Sequence, residues 1–111
     1  DVPDEMLLQM TLPQCQLCAG DLMPDVVFFG GTVPAGRVTT CLDALERADA
    51  LLAIGSSLMV FSGYRFCRRA SQLGKPLAII NPGITRADHL AHVRFHSAAE
   101  PLLTQTIAHL G

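Results

Sequence analysis

Residues 49–57 read Asp49-Ala50-Leu51-Leu52-Ala53-Ile54-Gly55-Ser56-Ser57, an unbroken apolar run that ends on a glycine and two hydroxyls. Five apolar residues in a row do not alternate with polar ones, so they fit a strand buried on both faces, as parallel sheets require. Two other runs have the same form. Upstream, Asp25-Val26-Val27-Phe28-Phe29 is stopped by Gly30-Gly31; downstream, Leu77-Ala78-Ile79-Ile80 is stopped by Asn81-Pro82-Gly83. Between the first two runs, Val38, Cys41, Leu42, Leu45 and Ala48 recur at three- and four-residue spacing, which predicts an amphipathic helix over residues 35–48. Tyr64, Cys67, Ala70 or Ser71, and Leu73 predict a second helix, closed by Gly74 before Lys75-Pro76. Val93 and Phe95 fit a short further strand, and Leu102, Leu103, Ile107 and Leu110 a last helix.

Apolar strands alternating with helices predict an α/β fold, a parallel, doubly wound, Rossmann-like sheet with helices on its faces. In such sheets ligands collect at the carboxyl ends of the strands. Those ends carry Phe29-Gly30-Gly31, Gly55-Ser56-Ser57 and Asn81-Pro82-Gly83. Residues 1–24 have another texture: Pro13, Cys15, Cys18, Gly20 and Pro24 punctuate them without periodicity. The expected division is therefore a small module over residues 1–24 and the α/β domain over residues 25–111.

The chain has 111 residues, one domain's worth, half of them apolar and 16% charged, so it can bury a core and is no disordered tail. Eight Lys and Arg against ten Asp and Glu leave a net charge of −2, without the basic excess that a nucleic-acid binder uses on phosphates. No apolar run approaches the ~20 residues of a membrane span. Residues 1–24 lack a basic start followed by an apolar block, so neither a membrane partner nor secretion is expected. Four cysteines with only Cys15 and Cys18 close together make no disulfide framework and point to metal or redox chemistry in a reducing compartment.

Gly55, Ser56 and Ser57 offer a close backbone approach, two hydroxyls and backbone N–H groups, a set that holds phosphate or ribose oxygens and equally makes an ordinary strand-to-helix turn. Asn81 with Gly83 is open to the same two readings. Successive strand ends of one sheet favour the ligand reading, although no GxGxxG loop is present. Cys15 and Cys18 supply two thiolates at the bite of one tetrahedral zinc, and flanking Pro13, Gly20 and Pro24 do not fit a thioredoxin-like redox helix. Cys41 and Cys67, on amphipathic helices, read as small buried hydrophobes. His89, His92, His96 and His109 have no nucleophile or orienting carboxylate at recognisable spacing, and Ser56 and Ser57 lie in no GxSxG elbow.

Taken in order, the CxxC of Cys15 and Cys18, Pro24-Asp25-Val26-Val27-Phe28-Phe29-Gly30, Ala48-Asp49, Gly55-Ser56-Ser57-Leu58, Ile79-Ile80-Asn81 with Gly83, and Thr85-Arg86-Ala87-Asp88 resemble the C-terminal half of a sirtuin. Residues 55–66, GSSLMVFSGYRF, resemble the class II branch, which includes lipoamidase and ADP-ribosyltransferase types and bacterial relatives. The resemblance runs from about residue 13 to the end. It implies an NAD-dependent protein-lysine deacylase, which transfers the acyl group from lysine to ADP-ribose with release of nicotinamide. It further implies that Gly55, Ser56 and Ser57 hold the NAD ribose and phosphates, that Asn81, Pro82 and Gly83 face the adenosine ribose, and that Ala99 contacts the adenine. Val27, Phe29, Gly30 and Gly31 match the strand end along which an acyl-lysine peptide lies, with Val60 across the same tunnel. Cys15 and Cys18 match the second CxxC of a four-cysteine Zn2+ module, and a bacterial cytoplasm or a mitochondrial matrix is the implied location.

The family commonly has an acidic residue where Gly31 stands and a proline where Ser62 stands. The family's GAGxS loop, QNxD segment, catalytic histidine and first CxxC are absent, and the chain starts with Asp, as expected of a piece of a longer protein. The expectation is a fragment that by itself neither deacylates nor closes a four-cysteine zinc site, and that self-associates through uncovered sheet. Two other readings stand beside it: a nucleotide-binding module without catalysis, and a zinc-linked dimer with Cys15 and Cys18 from each of two chains.

Overall fold

A computed structural model describes residues 3–111; the first two residues of the expected 1–24 module lie outside the described residues. The chain divides into two compact units, Asp1–Thr32 and Val33–Gly111.

The larger unit runs α2 (Ala35–Arg47), β1 (Leu51–Ile54), α3 (Phe61–Gln72), β2 (Leu77–Ile80), a 3-10 turn (Asp88–Leu90), β3 (Val93–Phe95) and α4 (Ala99–Leu110), after α1 (Asp4–Leu8) in the smaller unit. The strands form one parallel sheet in the order β1-β2-β3. The expected α/β class and its parallel sheet are thus present. Pairing runs Leu51 with Leu77 through Ile54 with Ile80, then Ala78 with Val93 through Ile80 with Phe95. Because side chains alternate along a strand and paired residues share a face, Leu51, Ala53, Leu77, Ile79 and Arg94 point one way. Leu52, Ile54, Ala78, Ile80, Val93 and Phe95 point the other.

The first face carries the core, where Leu77 and Ile79 pack with Leu58, Cys67 and Ala87, flanked by Tyr64, Leu90 and Ala91. Ile79 is fully buried, which contributes about 2–3 kcal/mol of transfer free energy. Helix α3 presents Cys67 and Ala70 inward at the three-residue spacing read from the sequence. Gly74 follows with φ +68°, and nothing lies within 4 Å of where its Cβ would be, so the left-handed backbone rather than crowding asks for glycine.

Four expectations need correction. Residues 25–29 form no strand: Val26, Phe28 and Phe29 are exposed, and the run ends in a turn in which Gly31 N–H donates to Phe28 O at 2.9 Å. A strand exists only by pairing, and this run has no partner strand among the described residues. Strand β1 is not buried on both faces, since Leu52 and Ile54 are exposed. Cys41 is exposed, because it borders an open apolar groove with Ala44, Leu45, Ala48, Leu51 and Phe66 instead of a covering element. In α4, Leu102 and Leu103 are half-buried, but Ile107 and Leu110 are exposed because nothing among the described residues covers that end.

Candidate functional site

Two loops leave the carboxyl ends of the adjacent strands β1 and β2. Gly55 N–H donates to Ile80 O at 2.8 Å, so the ladder continues one residue past β1 and brings Gly55 beside the start of the second loop. That bond also commits the Gly55 N–H. Gly55 has φ +64° and Leu58 has φ +57°, the latter an uncommon conformation for a bulky side chain, here held by burial of Leu58 in the core. The Leu58 N–H donates to Ser56 Oγ at 3.2 Å, closing the loop on itself, while the Ser57 side chain is exposed.

In the second loop, Asn81 N–H donates to Phe95 O at 3.1 Å and Asn81 Nδ2 to Gly83 O at 3.0 Å. Asn81 is half-buried, and Pro82 and Gly83 are exposed. Arg94, which points from β3 to the core face, sends Nη1 to Asn81 O at 2.7 Å and to Phe95 O at 2.6 Å, Nη2 to Gly83 O, and Nε to Asp88 Oδ1 at 2.8 Å. Asp88 in turn accepts the Thr85 hydroxyl at 2.5 Å and the Thr85 N–H at 3.1 Å. The Thr85 hydroxyl, with the Thr85 amide and Arg94 adding to it, holds the Asp88 carboxyl below the usual carboxylate range. From sequence alone Thr85-Arg86-Ala87-Asp88 has no role beyond its family resemblance, and Arg94 has none. The signal was available: a lone arginine between Val93 and Phe95 needs a buried acceptor.

The two loops are thus adjacent in one unit, with Ala99 half-buried at the first turn of α4. Val60 is exposed just before α3. Val27, Phe29, Gly30 and Gly31 belong to the smaller unit, where Gly30 has φ +85° and a Cβ on Gly31 would come within 3.0 Å of Phe28 O. Also in that unit, Gln14 and Asp21 form an antiparallel bridge around the CxxC, and Cys15 N–H donates to Gly20 O at 2.8 Å. Backbone N–H groups of Leu17 and Cys18 hold the Cys15 thiol below its usual value, as a metal ligand or thiolate needs. No group of three or more His, Cys, Asp or Glu that could hold a metal occurs among the described residues. No helix among the described residues is long and apolar enough to cross a membrane.

The model of the Sir2 family matches residues 2–62. An NAD-dependent protein deacetylase of Bordetella bronchiseptica is 43% identical over 108 residues, which cover 97% of this chain and 39% of that protein. The NAD-dependent protein deacylase Sirt4 of Drosophila melanogaster is 45% identical over 94 residues, covering 85% of this chain and 30% of that protein. A solved structure described as "Sir2-p53 peptide-NAD+" superimposes with a TM-score of 0.73 at 24% identity, over 96% of this chain and 44% of that one. At that identity the superposition speaks for the fold. The chain spans less than half the length of each.

Proposed function

Since this chain belongs to the Sir2 family, we propose that it forms the part of an NAD-dependent protein-lysine deacylase that presents the strand-end wall of the NAD site. The observation that carries this reading is the pair of loops at residues 55–57 and 81–83, set side by side at the carboxyl ends of parallel strands by the Gly55 to Ile80 bond. In this reading the Ser56 and Ser57 loop meets phosphate and ribose oxygens, Asn81, Pro82 and Gly83 meet the adenosine ribose, and Ala99 meets the adenine. The relatives' names, NAD-dependent protein deacetylase and deacylase, support an acylated protein lysine as the second substrate. Val27, Phe29, Gly30 and Gly31, and separately Val60, are the residues proposed to meet it.

Acyl transfer from lysine to ADP-ribose needs a general base and both halves of the NAD site. Among this chain's histidines, His92 Nδ1 already accepts the Leu77 N–H at 3.2 Å, so that nitrogen is occupied as a structural acceptor. None of the four histidines, His89, His92, His96 and His109, has a nucleophile or an orienting carboxylate at recognisable spacing, so this reading gives the chain cofactor binding and assigns it no proton transfer. Zn2+ enters only with two further ligands beyond Cys15 and Cys18, and no step of the reaction depends on it here.

The test is thermal unfolding of the 111-residue chain with NAD raised to millimolar concentration. A preformed half-site raises the midpoint with ligand concentration, by about 0.4 kcal/mol of stability when NAD equals its dissociation constant and more above it. No shift at any concentration would overturn the proposal.

A further inference from the structure

The four residues Thr85, Arg86, Ala87 and Asp88 are bonded directly to the first strand-end loop and, through Arg94, to the second. Toward the first loop, Arg86 N–H donates to Ser57 O at 2.9 Å and Arg86 Nη1 to Met59 O at 3.0 Å. The same guanidinium stands 4.4 Å from the centroid of the Tyr64 ring, within cation–π reach. Toward the second loop, Asp88 pairs with Arg94, and Arg94 spends its other donors on the carbonyls of Asn81, Gly83 and Phe95. Ala87 and Thr85 are buried, so the segment is anchored in the core from which both arms reach out.

The chemistry of Arg94 is specific. A planar guanidinium carries five donors in a fixed fork, enough to meet one carboxylate and three carbonyls together, which a lysine ammonium on a flexible stem does not match. Without it the loop at residues 81–83 keeps the Asn81 backbone bond to Phe95 and one internal bond, Asn81 Nδ2 to Gly83 O.

We propose that residues 85–88 with Arg94 act as a clasp that fixes the two loops in one mutual arrangement, with Arg94 a positioning residue for the adenosine part of NAD. The ligand half of this inference rests on the NAD reading of those loops; the clasp itself rests on the bonds alone. Preorganised loops lose less freedom on binding, so the clasp acts on affinity rather than by touching the ligand.

The test compares the 111-residue chain with Arg94→Met, Arg94→Lys and Arg86→Met by native-state amide exchange and by ADP-ribose titration followed through amide chemical shifts. In Arg94→Met the Thr85 amide, which donates to Asp88, exchanges about tenfold faster than the loss of global stability explains, while the β2 amides follow global stability. ADP-ribose affinity of the folded protein falls by about tenfold, the size expected from losing bonds to a charged group. Arg94→Lys keeps the charge and recovers neither effect in full; it decides the matter should Arg94→Met fail to fold. Arg86→Met moves the amides of the first loop instead. Equal acceleration of all amides, or an unchanged Thr85 amide, overturns the clasp. Faster exchange with unchanged ADP-ribose affinity overturns the positioning role. If the parent chain binds no ADP-ribose, the NAD reading fails, and the exchange data alone support or sink the clasp.

Discussion

Ile79 and Asp88 hold this fold by different physics. Ile79 has no exposed surface, so Ile79→Ala removes buried methyl groups and leaves a cavity; a loss of about 2–5 kcal/mol is expected in urea unfolding. Asp88 acts through charge and hydrogen bonds. Its carboxyl is held low chiefly by the Thr85 hydroxyl, so its contribution is present above the unfolded carboxylate's value and is lost as pH falls through the lower folded one. Asp88→Asn should therefore destabilise at pH 7, and the gap from the parent should narrow below about pH 4. A gap that stays constant from neutral to acid would contradict the assignment. The thiols divide in the same way. Burial raises the Cys67 thiol above its usual value, whereas Cys18 and Cys41 are exposed. A thiol reagent at neutral pH should label Cys18 and Cys41 in the folded chain and Cys67 only on unfolding, as read by peptide mass mapping.

At the scale of elements, periodicity carried most of the reading. The spacing of Cys67 and Ala70 set the buried face of α3, Gly74 ended that helix region in a left-handed turn, and the apolar runs at residues 50–54 and 77–80 became β1 and β2. Gly74→Ala, with free space around the missing Cβ, should cost about 1 kcal/mol from backbone strain alone, measured as a lowered unfolding midpoint without change in the native spectrum. The run at residues 25–29 shows where periodicity stops. Its β-branched and aromatic residues favour an extended chain, but propensity does not make a ladder, and pairing is a nonlocal property that no short window contains. The same limit explains Arg94. Its strand was legible from Val93 and Phe95, while its acceptors Asn81 O, Gly83 O and Asp88 are brought to it only by β2 and the 3-10 turn.

At the scale of the larger unit, one face of the sheet carries the core, while the other is covered at its centre, where Ile80 is buried, and exposed at its sides. On that face Leu52 and Ile54 of β1 and Val93 and Phe95 of β3 remain about 40 to 52% exposed, and the outer edge of β1 has no neighbouring strand among the described residues. Apolar area of that kind favours association with a second copy. Sedimentation of the isolated chain should show concentration-dependent oligomers that Leu52→Lys reduces; a monomer at all concentrations would refute this. The sequence by itself determined the α/β class, all three strands of the sheet, the helices around them and the order of motifs that the Sir2 family shares, because periodicity and turn chemistry are local. Tertiary structure alone decided that residues 25–29 form no strand, that Cys41 faces an open groove, and that residues 85–88 bond to the first loop directly and to the second through Arg94. Those outcomes depend on which groups meet across the fold, and burial and hydrogen bonding are settled there.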